Sequence, residues 1–256
     1  MKSKSGGRTS KGTAAGKGAG KNPPPSKRVR KPKPKTVKVS FLEVLDAIRS
    51  EDPGRRMAGV GAGLLLFAGE ERLEPEIANL LRGGRVQPGE AVMIINVLVK
   101  LPKVSPSTVE LIAGCCGNGN PEGARIVALE AAVAFAAKGI AGVADSILRV
   151  CYDGSLPLAV TAISAVPKVA KICSKQVCIE TLLGAAQRAP IVWHKQHEQT
   201  HVLAEAAAAL CEILIDGPLP AELSARVEAF GILASECMDN PRTRNQGLRL
   251  LALLRS

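Results

Sequence analysis

The sequence predicts an all-α protein in which about six helix pairs form an α-solenoid that follows a disordered, basic N-terminal arm. Apolar residues make up 46% of the 256 residues but aromatic residues only 2%, which favours closely packed helices over a β-sandwich or barrel. Residues 120–139 form a helical pattern that is apolar nearly all round, so this helix must be covered on more than one side. Prolines at helix starts recur at intervals of 35, 33 and 36 residues, which indicates a repeated unit.

The first 38 residues differ in composition from the rest of the chain. They contain 13 Lys or Arg and no Asp or Glu, whereas the remaining residues contain 21 Lys or Arg against 23 Asp or Glu. After Met1, the only large apolar residues are Val29 and Val37, so the segment buries too little surface to offset the entropy cost of ordering. We therefore predict a disordered Lys/Pro/Gly/Ala-rich arm over residues 1–38 and a helical repeat domain over residues 39–256.

Regular structure is predicted to begin at Val39. Ser40 and Glu43 have the spacing of a capping box, in which each residue satisfies a backbone amide of the other. Val39 and Val44 have the spacing of a hydrophobic staple across the same helix start. These signals predict the first helix over residues 41–50.

The longer helices begin at prolines, because proline suits the first turn of a helix. The starts are Pro53, Pro88, Pro121, Pro157 and Pro241. Alignment of the helix after Pro121 with residues 197–208 predicts a further start near His197, where no proline is present. A shorter amphipathic helix precedes each long one, over residues 41–50, 73–82, 107–116, 142–152, 175–187 and 220–237. Six such pairs make a helical solenoid the simplest arrangement.

The central and last long helices differ as the middle and end of a repeat array should. In the central helix, Asn120 is the predicted N-cap and Gly139 the predicted helix stop, and almost everything between them is apolar. The last helix carries a polar stripe at Arg242, Asn245 and Arg249. A terminal unit needs such a solvated outer face, whereas a middle unit does not.

The pattern resembles HEAT repeats and, more loosely, armadillo-type repeats, over about residues 39–256. The residues that carry the resemblance are a proline and a cation three or four positions later: Pro53 with Arg56, Pro121 with Arg125, and Pro241 with Arg244. Two other units lack the cation and one lacks the proline. The resemblance implies a right-handed superhelix whose second helices line a concave binding surface, and it implies no single activity.

Arg56, Arg125, His201 and Arg244 occupy nearly equivalent positions in the aligned units. They are candidates for a basic ladder on the concave face, facing phosphate groups or an acidic peptide. In the alternative, each side chain bonds to carbonyls or carboxylates of the neighbouring unit, which is how buried arginines are commonly satisfied. We favour the second interpretation for these positions.

The arm is the strongest functional signal in the sequence. Its candidate nucleic-acid-binding or targeting residues are Lys27, Arg28, Arg30, Lys31, Lys33 and Lys35. Residues 27–31 match both the basic clusters read by nuclear import receptors and generic polyanion-binding segments. A segment with 13 cations can neutralise many phosphates, so we expect salt-dependent binding that is insensitive to nucleic-acid sequence. A tail that serves only for solubility or addressing is the alternative.

Residues 197–201 have the HExxH spacing, in which two histidines one turn apart on a helix bind zinc and the glutamate activates the bound water. The candidate metal ligands are His194, His197 and His201, with Glu198 as the candidate base and Glu222 or Glu228 as a third ligand. The spacing resembles that of the zincin metallopeptidases. Zincins build their cleft beside a β-sheet, however, and this sequence predicts no convincing strand. We therefore expect no cofactor and no catalytic residue, with zinc as the alternative.

Three other features argue against further classes of function. The glycines of residues 59–63 lack the strand and the Lys-Ser/Thr pair of a nucleotide loop, and close helix packing explains them better. The seven cysteines include no CxxC pair and lie mostly in apolar runs, so we expect reduced, buried thiols in an intracellular protein. No apolar run approaches the ~20 residues of a membrane span.

These observations favour a non-enzymatic scaffold that binds a protein partner on the solenoid. The arm would associate with nucleic acid or chromatin, or direct nuclear import. The expected location is the nucleus in a eukaryote and otherwise the cytoplasm or nucleoid. Two alternatives stay open: a viral or organellar nucleoprotein that packages nucleic acid, and a zinc metallopeptidase-like hydrolase that uses the HExxH of residues 197–201.

Overall fold

The computed structural model describes residues 39–84, 86–215, 217 and 219–256, and within these ranges all regular secondary structure is helical. The first six helices are α1 (Phe41–Ile48), α2 (Pro53–Phe67), α3 (Leu73–Arg82), α4 (Pro88–Lys100), α5 (Pro106–Gly114) and α6 (Glu122–Ala137). The last six are α7 (Ala144–Val150), α8 (Leu156–Val169), α9 (Lys175–Val192), α10 (Gln196–Leu214), α11 (Ala221–Ser235) and α12 (Pro241–Arg255). The predicted all-α class is confirmed. The predicted arm, residues 1–38, lies outside the described residues.

Most predicted helix starts agree with the structure to within one or two residues. Helices α2, α4 and α12 begin at their prolines, and α10 begins at Gln196, beside the predicted start at His197. Two predictions were wrong in extent. The segment predicted as one helix over residues 142–152 is a 3-10 turn followed by α7, and α9 continues past its predicted end at residue 187 and includes Pro190. A proline this close to the end of a helix disturbs only the last turn.

The helix caps confirm two sequence predictions and correct one. The backbone amide of Ser40 donates to Glu43 Oε2 at 2.7 Å and the amide of Glu43 donates to Ser40 Oγ at 3.3 Å, which completes the predicted capping box. Gly139 has a φ of 82° and ends α6 as predicted, in a conformation that favours glycine. Asn120 does not cap α6, because its amide donates back to the carbonyl of Gly117 and leaves Pro121 in the N-cap position.

Helix contacts follow the order of the chain. Each odd-numbered helix contacts the even-numbered helix that follows it, from α1 with α2 to α11 with α12. The even-numbered helices also contact one another in series, α2 with α4, α4 with α6, and so on to α12. This series brings residues that are about one helix pair apart in sequence into contact, and it positions all the side-chain clusters described below.

The apolar core is one continuous cluster that runs from Val44 in α1 to Leu250 in α12. Helix α6 lies in its middle and buries Leu129, Phe135 and a row of alanines against α4, α5, α7 and α8. The prediction that the helix within residues 120–139 is covered on more than one side is therefore confirmed. None of the described helices is both long enough and apolar enough to span a membrane.

The glycines of residues 59–63 bring two helices close together. A Cβ atom on Gly59 would lie 2.7 Å from the backbone nitrogen of Ile48 and 2.9 Å from the carbonyl carbon of Ala47, so only glycine allows α1 to approach α2 at this point. A Cβ atom on Gly63 would lie 2.7 Å from a side-chain methyl of Leu73 in α3, a contact that a shift of the leucine side chain could relieve. At these two positions, the predicted role of small residues in helix packing is confirmed.

Candidate binding surfaces

The first predicted ladder residue, Arg56, lies in the junction between α2 and α4. Its Nε and Nη2 atoms donate to Glu90 Oε1 at 3.1 and 2.6 Å, and its Nη1 atom donates to the carbonyls of Ser50 and Glu51. The side chains of Arg56 and Glu90 are only 11% and 9% exposed. The other Glu90 oxygen accepts a hydrogen bond from the Gln87 amide at 2.8 Å, so this carboxylate also caps α4. Arg56 therefore ties the loop before α2 to the start of α4.

Arg125 forms the corresponding junction between α6 and α8. Its guanidinium pairs with the carboxylate of Asp153, donates to Asn118 Oδ1 at 2.7 Å, and donates from Nε to the carbonyl of Cys116 at 3.0 Å. The Asp153 carboxylate also accepts the backbone amide of Ser155 at 2.8 Å, just before α8 begins. In both junctions a buried arginine is held by a carboxylate at the start of the next even-numbered helix, an arrangement that desolvated arginine requires.

These contacts bear on the two interpretations of the ladder. Arg56 and Arg125 bond to carboxylates and carbonyls of their own and the neighbouring pair, as favoured, and neither presents a free guanidinium to solvent. These contacts agree with the interpretation in which the neighbouring unit satisfies each arginine, and the concave-face assignment of Arg56 and Arg125 stays a prediction from the sequence. Arg244 differs from both, because its side chain is exposed and the buried position beside it belongs to Thr243.

In the junction between α10 and α12, the carboxylate belongs to the earlier helix and the arginine to the later one, the opposite of the other two junctions. Here Oε1 of Glu205 on α10 lies 2.5 Å from Nη2 of Arg242 on α12 in an ion pair, and the Nε2 atom of His201 lies 3.5 Å from the same carboxylate oxygen. Thr243 donates from Oγ1 to the carbonyl of Thr200 at 2.9 Å in the buried centre of the contact. This junction is held by the pair of Glu205 with Arg242 and by the hydrogen bond from Thr243 to Thr200. Arg244, which the repeat alignment places with Arg56 and Arg125, takes no part in it and is exposed.

A cleft opens beside each of the two buried arginines. The first has a volume of about 440 Å³ and is lined by the loops before α2 and α4, including Arg56, Leu80 and Gln87. The second has a volume of about 340 Å³ and lies between the loops before α6 and α8, beside Arg125 and Asn118. Neither cleft could be predicted from the sequence, because each is formed by two loops that are about one helix pair apart. Only the repeated proline starts indicated that these loops are equivalent.

His197 and His201 of the HExxH pattern both lie on α10, one turn apart, but the other predicted metal ligands do not join them. Helix α10 begins at Gln196, so His194 lies in the non-helical connection before it and the predicted three-histidine stripe is not formed. Glu198 lies 3.5 Å from Lys195, and His201 faces Glu205. The two candidate third ligands, Glu222 and Glu228, are exposed on α11. Among the residues that the structure describes, no three His, Cys, Asp or Glu side chains lie close enough together to hold a metal ion.

The cysteines include several deeply buried thiols, as predicted. Burial raises the pKa of Cys116 to about 12 and that of Cys151 to about 12, and the two residues are 2% and 0% exposed. Burial also raises the pKa of Cys178, whose sulfur lies 3.3 Å from that of Cys173 and is hydrogen-bonded to it. In the described part of the chain every cysteine is a free thiol. These are structural thiols rather than activated nucleophiles, because nucleophilic cysteines have lowered pKa values.

We expect the buried thiols to weaken the fold at alkaline pH. A thiol whose pKa is raised in the folded state holds its proton more tightly than in the unfolded chain, so its contribution is complete below about pH 9 and is lost as the pH rises toward 12. Over that interval, each such thiol lowers the free energy of unfolding by up to about 1.4 kcal/mol per pH unit. Denaturant titrations of wild type and Cys151→Ala should show a shallower alkaline decline in the variant. Equal alkaline slopes in wild type and Cys151→Ala would contradict the expectation.

The targeting candidates lie outside the described residues. They are Lys27, Arg28, Arg30, Lys31, Lys33 and Lys35. Their assignment to nucleic-acid binding or nuclear targeting stays a prediction from the sequence.

Comparison with known proteins yields a likeness of fold. No protein-family model matches this chain, and no curated protein matches it. The crystal structure of an engineered protein from the Northeast Structural Genomics Consortium superposes with a TM-score of 0.56 at 12% identity, over 85% of this chain and 99% of that one. A second engineered protein from the same consortium gives a TM-score of 0.53 at 12% identity, over 84% and 96% of the two chains. At this identity the likeness concerns the helical fold alone.

Proposed function

We propose that this chain is a non-enzymatic binding scaffold. Residues 39–256 act as a HEAT-like helical solenoid that holds a protein partner, and residues 1–38 hold nucleic acid or chromatin, or serve as a nuclear import signal. The serial contacts of the even-numbered helices support the first part, because a stack in which each unit contacts its neighbours offers one extended surface. The proposed partner surface is the exposed row of these helices.

The exposed row on α4, α6, α8 and α10 has the chemistry of a protein-binding surface rather than a phosphate-binding one. Exposed positions include Met93 and Asn96 on α4, Glu130 on α6 and Ser164 on α8. Within these four helices no arginine is exposed, because Arg125 is buried against Asp153. A surface with few cations has no means of neutralising several phosphates at once. The proposal therefore places nucleic-acid binding elsewhere on the chain.

The proposal that the arm binds nucleic acid rests on the uneven distribution of charge along the chain. The first 38 residues hold 13 of the 34 Lys and Arg and no acidic residue, while the rest of the chain is close to neutral. A segment of this composition attracts a polyanion over long range and reads no sequence, because contacts to phosphates carry no base information. The expected ligand is thus any nucleic acid with an accessible backbone.

Binding should depend steeply on salt and on the basic cluster of the arm. If about half of the arm cations engage phosphates, log K for a random-sequence DNA duplex should fall with log salt at a slope on the order of −5. Replacing the six candidate residues of the arm with Gln, in the full-length chain, should remove about half of that slope. The measurement is fluorescence anisotropy of a labelled duplex over a salt series.

A charge-matched control variant distinguishes the effect of the arm on binding from the effect of the net charge of the chain. Gln at six exposed cations of the helical domain removes the same charge while leaving the arm intact: Lys100, Lys103, Lys138, Lys168, Lys171 and Arg188. This control should keep most of the salt slope. If both variants lose slope equally, or if the wild-type chain shows no salt-dependent binding, the proposed role of the arm is wrong.

A further inference from the structure

Helix α12 differs in charge from the other long helices. Its 15 residues include four arginines, Arg242, Arg244, Arg249 and Arg255, and no Asp or Glu. Its buried side is formed by Thr243, Gly247 and Leu250, which pack on α10 and α11. At about 100° per residue, Arg244 and Arg255 lie within about 20° of each other, and so do Arg242 and Arg249. The arginines thus form two columns about 140° apart, on the two flanks of the solvent-exposed side, a surface that we call the α12 arginine face.

Most of this face is free to bind a ligand. Arg242 is 58% exposed and pairs with Glu205, whereas Arg244, Arg249 and Arg255 are exposed and form no ion pair or side-chain hydrogen bond with any residue that the structure describes. The positions between the two columns are also exposed and uncharged, namely Pro241, Asn245, Leu248 and Ala252. No carboxylate lies within α12 itself, and Glu205 of the packed helix α10 pairs with Arg242 alone among the four arginines.

The placement of two of these arginines is unfavourable for the helix itself. Arg242 and Arg244 lie in the first turn, where the helix dipole is positive and acidic residues are preferred. Helices α4 and α6 follow the preference, with Glu90 and Glu122 in their first turns, whereas α2 resembles α12 in having arginines and no acid there. A solvated outer face on the last unit requires only polar residues, and it gives no reason for four arginines without a single acid. The ion pair with Glu205 offsets this cost for Arg242, whereas Arg244 has no ion-pair partner among the described residues, and its placement there points to a ligand.

We propose that the α12 arginine face binds the phosphate backbone of nucleic acid. Guanidinium groups are charged at all relevant pH values and hold phosphate oxygens in bidentate geometry. The two arginines of each column lie about 10 and about 16 Å apart along the helix axis, distances that span several phosphates, which are spaced about 3.4 Å apart along each strand of a duplex. The face carries no aromatic side chain for stacking on bases, so it contacts the backbone and reads no sequence.

The chemistry of the face favours nucleic acid over an acidic protein. Protein interfaces are centred on buried aromatic and apolar anchors and are depleted of charge at the core. The only large apolar side chain between the arginine columns is Leu248, which is 50% exposed. This site lies on the helical domain, so it goes beyond the proposed role of residues 1–38 and does not depend on it.

The test compares four full-length variants on a random-sequence duplex over a salt series. The first replaces Arg244, Arg249 and Arg255 with Gln, and the second replaces three scattered, exposed arginines, Arg55, Arg72 and Arg188, with Gln. The third is the arm variant described above. The α12 variant should reduce the salt slope by about 3 and weaken binding about 30-fold at moderate salt, while the scattered control changes affinity less than about threefold. A variant with Lys at the three α12 positions should keep the slope, because it keeps the charge.

The outcomes separate this proposal from the proposed role of the arm. If the α12 variant binds like wild type, or no worse than the scattered control, the α12 site is wrong even where the arm variant loses binding. If the α12 variant loses binding and the arm variant does not, the α12 site stands and the role of the arm falls. Displacement of the duplex by polyglutamate as readily as by unlabelled DNA would also overturn the assignment to phosphate. Circular dichroism spectra that match wild type show that the Gln and Lys variants are folded.

Discussion

Replacing Glu90 with Ala is expected to lower the free energy of unfolding by about 3–5 kcal/mol, because it leaves Arg56 buried without its countercharge. The side chains are 11% and 9% exposed, and Glu90 Oε1 accepts both the Nε and the Nη2 of Arg56. The same substitution removes the carboxylate that accepts the Gln87 amide at the start of α4. Guanidinium denaturation of wild type and variant measures the loss.

Two further variants make the Glu90 result interpretable. Glu110→Ala removes an exposed carboxylate from α5 and should stay within about 0.5 kcal/mol of wild type. The double variant Arg56→Met/Glu90→Leu removes both charges, so it should be less destabilised than Glu90→Ala, since replacing a whole buried ion pair by apolar groups is often nearly neutral. A loss below about 1 kcal/mol in Glu90→Ala would mean that water reaches Arg56 and that the junction is not a buried ion pair.

Gly59→Ala and Gly61→Ala are expected to change stability in opposite directions. In an ordinary helix the substitution adds about 0.5–1 kcal/mol, because alanine loses less backbone entropy on folding than glycine. At Gly59 the added Cβ atom would lie 2.7 Å from the backbone nitrogen of Ile48, and a packed backbone cannot yield without separating α1 from α2. At Gly61 the nearest atom is the terminal methyl of Met93 at 3.8 Å, an ordinary contact.

We therefore expect Gly59→Ala to cost about 1–3 kcal/mol, as overpacking does, and Gly61→Ala to gain about 0.5–1 kcal/mol. The two substitutions are chemically identical and lie two residues apart on the same helix, so each serves as the control for the other. Thermal and denaturant midpoints give the sign directly. Shifts in the same direction would show that the contact of α1 with α2 is not set by Gly59.

The local signals of the sequence predicted the helices well. Proline with its fixed φ suits the first turn of a helix, and α2, α4 and α12 begin at Pro53, Pro88 and Pro241 as expected. The capping box of Ser40 and Glu43 depends on residues three positions apart, so it too is visible in the sequence. The predicted N-cap role of Asn120 was wrong, because its side-chain amide instead donates a hydrogen bond to the carbonyl of Gly117 in the preceding turn.

The candidate surfaces were harder to predict because they depend on distant partners. Arg56 and Arg125 could be recognised as equivalent, but the acids that neutralise them, Glu90 and Asp153, lie 34 and 28 residues away and in different positions of their units. Nothing in the local sequence distinguishes these two carboxylates from exposed ones. His194 is a similar case, since the predicted three-histidine stripe required a helix through His194, whereas α10 begins at Gln196.

The sequence by itself determined the helical class, the places where most helices begin, and the concentration of positive charge in the first 38 residues, because each depends on composition or on neighbours within a few positions. The tertiary structure decided which charges are available to a partner. It buries Arg56 and Arg125 against carboxylates of the next helix pair and leaves three arginines of α12 exposed. The physical reason is desolvation: a charge removed from water must find a countercharge, and packing between distant segments determines whether it does.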